Sequence, residues 1–291
     1  MFKFIKCAEN TYYLDCFAKT GVYYLGSGEV VLIDGCDHKK SFHDLDCYLE
    51  ERGWRVKAII NTHAHIDHIT GDKYFKEKYN CDVFSSNVEH HLIELCNLEG
   101  QIYFNAIPIN RERSYFFRPV SVKAKPISQA DCLKGFEFVS LPGHSFGMIG
   151  IKTPDNVWFT GDAVLSKETF ESYKLPFFFD INKSIETQKM IASLKGDFFV
   201  PSHAEAGESI AELSLYNAKC LEKLKAYFLS ISNKRTLEEI FAVCGKDLAL
   251  KVDNDQYGKL LTTVKGFLQA LIEDGKLDAS IEDYKLVYFT K

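Results

Sequence analysis

Six consecutive residues constrain this chain more than any others. The order His63-Ala64-His65-Ile66-Asp67-His68 places four potential metal-ligating side chains in one short segment. That segment follows an apolar, β-like run at 56–60 and precedes a polar stretch over 71–79 with helical character, so it reads as a strand-to-helix turn. At such a turn His63 and His65 face one side, while Asp67 and His68, entering a helix, diverge by about a quarter-turn or more. One segment can therefore serve two metal ions. Imidazole and carboxylate together are the usual donor set for zinc and similar ions; the plainer alternative makes Asp67 a helix cap in a histidine-rich loop.

Three later positions repeat the placement at strand ends. Strand-like runs at 11–14, 22–25 and 30–33 lead into Asp34-Gly35. Helical spacing over 41–53, a helix at 72–79, a short strand at 82–84 and a helix over 87–96 continue a β-then-α rhythm. Strand character returns at 136–141, 149–152 and 157–159, and a helix is expected over 183–194. His144 follows Gly143, Asp162 follows Gly161, and His203 closes the run at 198–203. A glycine just before a functional side chain suits a backbone that turns sharply to aim it. Five of the nine histidines fall into this set, and His38, His43, His90 and His91 are read as ordinary surface or helix-face residues.

With the motifs set side by side, the chain resembles the metallo-β-lactamase-fold hydrolases over roughly 11–205. Asp34, the His-x-His-x-Asp-His turn, His144, Asp162 and His203 occur in the family's order. The resemblance implies one metal held by His63, His65 and His144, a second held by Asp67, His68 and His203, and Asp162 bridging them. It makes Asp34 a carboxylate that orients the ligand turn from behind, and it implies an α/β, four-layer αβ/βα sandwich. Two divalent ions, zinc first with iron or manganese as alternatives, lower the pKa of a shared water toward neutrality. Asp67 is the residue expected to orient the resulting nucleophile. Ala64 stands where the family's di-iron oxygen reductases carry Glu, which argues against that branch.

Composition narrows the setting. Nine cysteines with no Cys-x-x-Cys pair give neither a disulfide framework nor a zinc ribbon. A net charge of −5 supplies no general pull toward nucleic acid or anionic membranes. Polar Glu9-Asn10 interrupts the amino-terminal segment at once, and no apolar run approaches the roughly 20 residues that span a bilayer. The expectation is a soluble, cytoplasmic protein without a membrane partner.

Over 98–130 no regular period emerges, and aromatic and basic residues crowd together; a loop this long reads as a lid, a binding element or an interface. Arg111 and Arg113, with Tyr173 and Lys174, are the candidate substrate contacts. The chain divides into 1–208, the catalytic unit; 209–233, a connecting helix; and 234–291, a small, mainly helical unit that resembles a winged helix. That last segment has nine Lys or Arg against ten Asp or Glu, which disfavours a DNA-binding surface. Packing, homodimerisation or closure of the substrate cleft is its expected role. The leading expectation is a dinuclear hydrolase of a small thioester, lactone or related ester, in the glyoxalase II-like or ribonuclease-like branch. Phosphodiester or RNA cleavage, in which Arg111, Arg113 and Arg118 contact phosphates, is the alternative, as is a single-iron persulfide dioxygenase. A catalytically silent scaffold would have no need of seven converging ligands.

Overall fold

The computed structural model describes residues 1–105 and 120–291. Strands β1 (Lys3–Lys6), β2 (Thr11–Asp15), β3 (Thr20–Gly26), β4 (Glu29–Ile33), β5 (Arg55–Ile60), β6 (Asp82–Ser85) and β7 (Ala124–Pro126) lie side by side in chain order. The first four pair antiparallel through short turns. From β4 onward pairing is parallel, because helices carry the chain back between strands: α1 (Lys39–Glu51), α2 (Ile66–Ile69), α3 (Asp72–Tyr79), α4 (Glu89–Glu94) and α5 (Leu98–Phe104).

A second sheet contains β8 (Glu137–Ser140), β9 (Ile149–Lys152), β10 (Val157–Leu165) and β11 (Phe198–His203), in the order β11-β10-β9-β8. Helices α6 (Lys167–Tyr173) and α7 (Ile181–Ile191) join its parallel pair, β10 and β11.

Side-chain alternation builds the layers. Along β4, Val30 and Leu32 face Phe42, Leu45, Leu49 and Phe75 of α1 and α3. Val31 and Ile33 face the other way, onto Phe159, Ile151 and Val200 of the second sheet. The outer face of that sheet, through Trp158, Val164 and Phe199, packs on Ile191 of α7. Strands buried on both faces lose the polar alternation of a surface strand, and all nine residues of β10 are buried. The result is the expected helix–sheet–sheet–helix sandwich.

The chain then continues through α8 (Ala211–Ile231), β12 (Arg235–Thr236), α9 (Leu237–Asp247), α10 (Asn254–Glu273), β13 (Leu277–Glu282) and β14 (Lys285–Thr290), with a third sheet in the order β12-β14-β13. Thr236 and Glu239 form a reciprocal capping box at the start of α9. Phe228, Val264, Phe267 and Leu271 of this region share one hydrophobic core with Leu165, Phe170, Phe178 and Ile181, residues at or beyond the end of β10.

The reading of 98–130 as patternless needs correction within the described residues. The segment opens with α5 and later contributes β7 and a 3₁₀ turn at Ile127–Gln129. Helix α5 shows no usual apolar stripe because its inward face, Glu99 and Tyr103, is directed at polar groups. Among the described residues no helix is long and apolar enough to cross a membrane.

Candidate metal centre

Asp34 and the turn after β5 are tied first. Asp34, just past β4, has a left-handed φ of 67°. Its carboxylate accepts the Thr62 backbone N–H at 2.7 Å and the Thr62 hydroxyl at 3.1 Å. It also accepts from His68 Nδ1 at 2.9 Å, so one buried carboxylate holds both ends of the histidine turn.

Two other segments need glycine. Gly161 has φ 54°, and a Cβ there would sit 2.9 Å from Thr62 Oγ1; Gly143 has φ 126°, and a Cβ would sit 2.5 Å from the Ser184 backbone nitrogen. Only glycine accepts both the conformation and the approach, and the residues that follow, Asp162 and His144, are thereby brought against the turn.

All seven candidate ligands converge, in two groups. His63, His65 and His144 form a triad; Asp67, His68, Asp162 and His203 form a tetrad, and within each group one donor atom per residue lies within 4.8 Å of the others. Asp162 touches both, at 3.1 Å from His68 Nε2, 3.2 Å from His203 Nε2 and 3.4 Å from His144 Nε2. Asp67 lies 3.2 Å from His203 Nε2, and His65 Nδ1 lies 2.9 Å from His144 Nε2.

Four of the five imidazoles are fixed through their other nitrogen. His63 Nδ1 meets Thr62 Oγ1 at 3.0 Å, His68 Nδ1 donates to Asp34, and His203 Nδ1 donates to the Phe17 carbonyl at 2.9 Å. His65 Nε2 donates to Tyr103 Oη at 3.1 Å, and Tyr103 donates to Glu99 at 3.0 Å. Metal-binding histidines characteristically show this arrangement, which fixes tautomer and ring orientation. Among the described residues His63 Nε2 is buried without a hydrogen-bond partner, and His68 Nε2 and Asp162 Oδ1, buried 3.1 Å apart, face each other as an ion pair without hydrogen-bond geometry. Buried polar atoms left unpaired are costly, and a cation among them removes that cost, so these residues fit divalent metal ions.

The groups differ electrostatically. Burial, reinforced by neighbouring imidazoles, holds His63 and His65 well below the usual range and brings His144 down to about 4. Burial also opposes protonation of His68 and His203, but Asp162 overcomes it in both cases, with Asp34 at His68 and Asp67 at His203. His68 is held well above its usual value and His203 at about 10. Burial would raise Asp67 and Asp162; the facing imidazoles instead hold both below the carboxylate range.

Five of the seven residues, His65, Asp67, His144, Asp162 and His203, border a cleft of about 1300 Å³, with His63 and His68 buried behind them. Its walls include Phe17, Tyr173 and Lys174, and on the far side Leu250, Lys251 and Lys259 from the α9–α10 region. Arg111, Arg113 and Arg118 lie outside the described residues. Sequence reasoning missed Glu99, Tyr103 and Phe177. The Phe177 ring lies 5.7 Å from that of His65 and 5.6 Å from that of His144. Glu99 is pushed up to about 8, chiefly by burial.

Comparison with known proteins places this geometry. Residues 15–203 match the model described as the metallo-beta-lactamase superfamily. A probable metallo-hydrolase of Methanocaldococcus jannaschii is 28% identical over 168 residues, covering 56% of this chain and 77% of that protein. A hydroxyacylglutathione hydrolase of Brucella ovis is 27% identical over 123 residues, covering 42% of this chain and 39% of that protein. The crystal structure of a beta-lactamase domain protein from Burkholderia ambifaria superposes with a TM-score of 0.73 at 15% identity, covering 99% of this chain and 94% of that one. At that identity the likeness concerns the fold.

Proposed function

The chain belongs to the metallo-beta-lactamase superfamily and is a metal-dependent hydrolase, and on that premise we propose that it is a dinuclear enzyme acting on a small thioester, lactone or related ester. The triad would hold one ion and the tetrad the other, with Asp162 within reach of both. A nitrogen- and oxygen-rich donor set suits zinc. When bound, two such ions supply a water acidified to near neutrality and a positive field for the oxygen charge that develops during attack.

The chain's own groups do the rest. Asp67, beside His203 at the cleft floor, orients the attacking water through a carboxylate oxygen and accepts its hydrogen bond. Asp34, Thr62, Tyr103 and the Phe17 carbonyl keep the imidazoles aimed, so little reorganisation is needed during the reaction. Phe17 and Leu250 offer apolar surface to an acyl group, while Tyr173 and Lys174 stand at the wall as contacts for the leaving portion.

We assign 1–208 as the catalytic unit, 209–233 as the connecting helix and 234–291 as a winged-helix-like unit that closes the cleft. The observation that carries the hydrolytic reading is the convergence of two donor groups on one carboxylate at the floor of a substrate-sized cleft. Similarity to the Brucella ovis protein named hydroxyacylglutathione hydrolase supports the choice of acyl substrates over phosphodiesters.

Metal analysis of protein purified without added metal, followed by a screen of thioesters, lactones and phosphodiesters, tests the proposal. Two ions per chain with thioester or lactone turnover is the expected result. One iron per chain with oxygen uptake on a persulfide, or RNA cleavage without esterase activity, overturns it.

A further inference from the structure

We propose that Glu89 is the positioning residue that assembles the His63/His65/His144 triad, an inference that rests on the triad being a metal site. Glu89 stands at the start of α4 and is fully buried. Its Oε2 accepts the Ala64 N–H at 2.9 Å, and its Oε1 accepts both the Ser145 hydroxyl and the Gly147 N–H at 2.7 Å.

Those three donors are not scattered. Ala64 lies between His63 and His65, and Ser145 directly follows His144. A single carboxylate therefore fastens the two segments that carry the triad, about eighty residues apart in sequence. His144 needs such a tie, because it alone among the five imidazoles has an outer nitrogen, Nδ1, that is buried without a hydrogen-bond partner. Apart from the Phe177 and Phe178 rings packed on it, its direction comes from the backbone on which it is mounted.

The loop is built to reach Glu89. A Cβ at Gly147 would lie 2.8 Å from Ser86 Oγ and 2.8 Å from Val88 Cβ, so only glycine lets the loop rest on the start of α4. The tetrad draws on other supports: Asp34 holds His68, and the Phe17 carbonyl holds His203. Loss of Glu89 therefore acts on one group of ligands and spares the other.

Glu89→Gln keeps the shape and removes the chemistry. An amide offers a single acceptor oxygen to three donors; the Ser145 hydroxyl can rotate to accept instead, but one of the two backbone N–H groups is left facing an NH2. The measurement is cobalt(II) binding by equilibrium dialysis, with the visible absorption of each bound ion recorded. In the wild-type background we expect one ion to bind unchanged and the other about 10- to 100-fold more weakly. In a His203→Ala background, where the triad carries the remaining ion, Glu89→Gln weakens that ion by the same factor.

Ser145→Ala, which removes only one of the three bonds and preserves both N–H contacts, gives a smaller loss at the same ion and serves if Glu89→Gln does not fold. The inference is overturned if both variants bind two ions as the wild type does, or if they weaken both ions equally. A wild-type protein that binds no cobalt would instead sink the metal-site reading itself.

Discussion

The triad and the tetrad share a cleft floor and a carboxylate, yet they are different electrostatic objects. Three buried imidazoles without a carboxylate of their own are kept neutral. Two imidazoles facing Asp67, Asp162 and Asp34 are kept protonated. The first group presents lone pairs ready for a cation; the second must release protons to accept one. On the proposed two-metal reading the two groups would fill under different conditions, although every residue in them is His or Asp.

The most damaging way to break this contrast is to remove what the groups share. Asp162→Asn withdraws the charge in contact with both, and if metal stabilisation of the transition state is worth several kcal/mol, kcat/KM falls by about 10³-fold or more. Metal content measured alongside should show both ions weakened. Retention of two tightly bound ions would mean that Asp162 is not shared.

Next is proton release. Near neutrality, with His203 at about 10 and His68 also raised, filling the tetrad displaces about two protons. Its metal affinity then rises about 100-fold per pH unit, tenfold for each proton. The triad, whose histidines are already neutral, should show almost no such slope. Calorimetry in buffers of different protonation enthalpy separates the two; equal slopes would erase the distinction.

Tyr103→Phe sharpens the comparison within the triad. It deletes only the oxygen that receives His65 Nε2 and should weaken the triad ion by about tenfold, with the tetrad ion unaffected. Dialysis on the variant checks this.

The smallest effect is on folding stability after metal removal. The triad histidines have lowered folded values, so their contribution is complete above about 6.5, the unfolded value, and is lost as pH falls toward about 4. His68 and His203 have raised folded values, so theirs is complete below about 6.5 and is lost as pH rises toward about 10. The melting temperature of chelator-treated protein should peak near pH 6 to 7 and fall by several degrees on both sides. His144→Ala should flatten the acid side and His203→Ala the alkaline side.

The parts of the site legible in sequence are those where the chemistry dictates residue type. Metal donors come from a short menu, and strand ends preceded by glycine put them where a reader looks, so His144 and Asp162 stood out. Glu89 and Tyr103 left no such mark. A buried glutamate that receives backbone N–H groups looks like any helix-face glutamate, since its partners, Ala64 and Gly147, contribute no side chain to the bonds. Layering followed the same division: the apolar runs of β4 and β5 announced strands, but nothing in them showed which face met the second sheet. Helix α5 went unread because its inward residues serve the site rather than a core.

The hydrophobic cluster shared by Phe178, Ile181, Phe228 and Phe267 has a consequence for how this protein can be taken apart. Phe178 directly follows Phe177, whose ring lies against His65 and His144. The residues packed against His65 and His144 and the residues that bury the last helices therefore belong to one stretch of chain. A graft that exchanged only the segment after α8 would leave half of that cluster facing a stranger. The piece that can be swapped with that cluster intact is discontinuous: it takes the carboxyl-terminal region together with 165–185, carries Phe177, Tyr173 and Lys174 of the cleft with it, and sets where recombination experiments should place their crossovers.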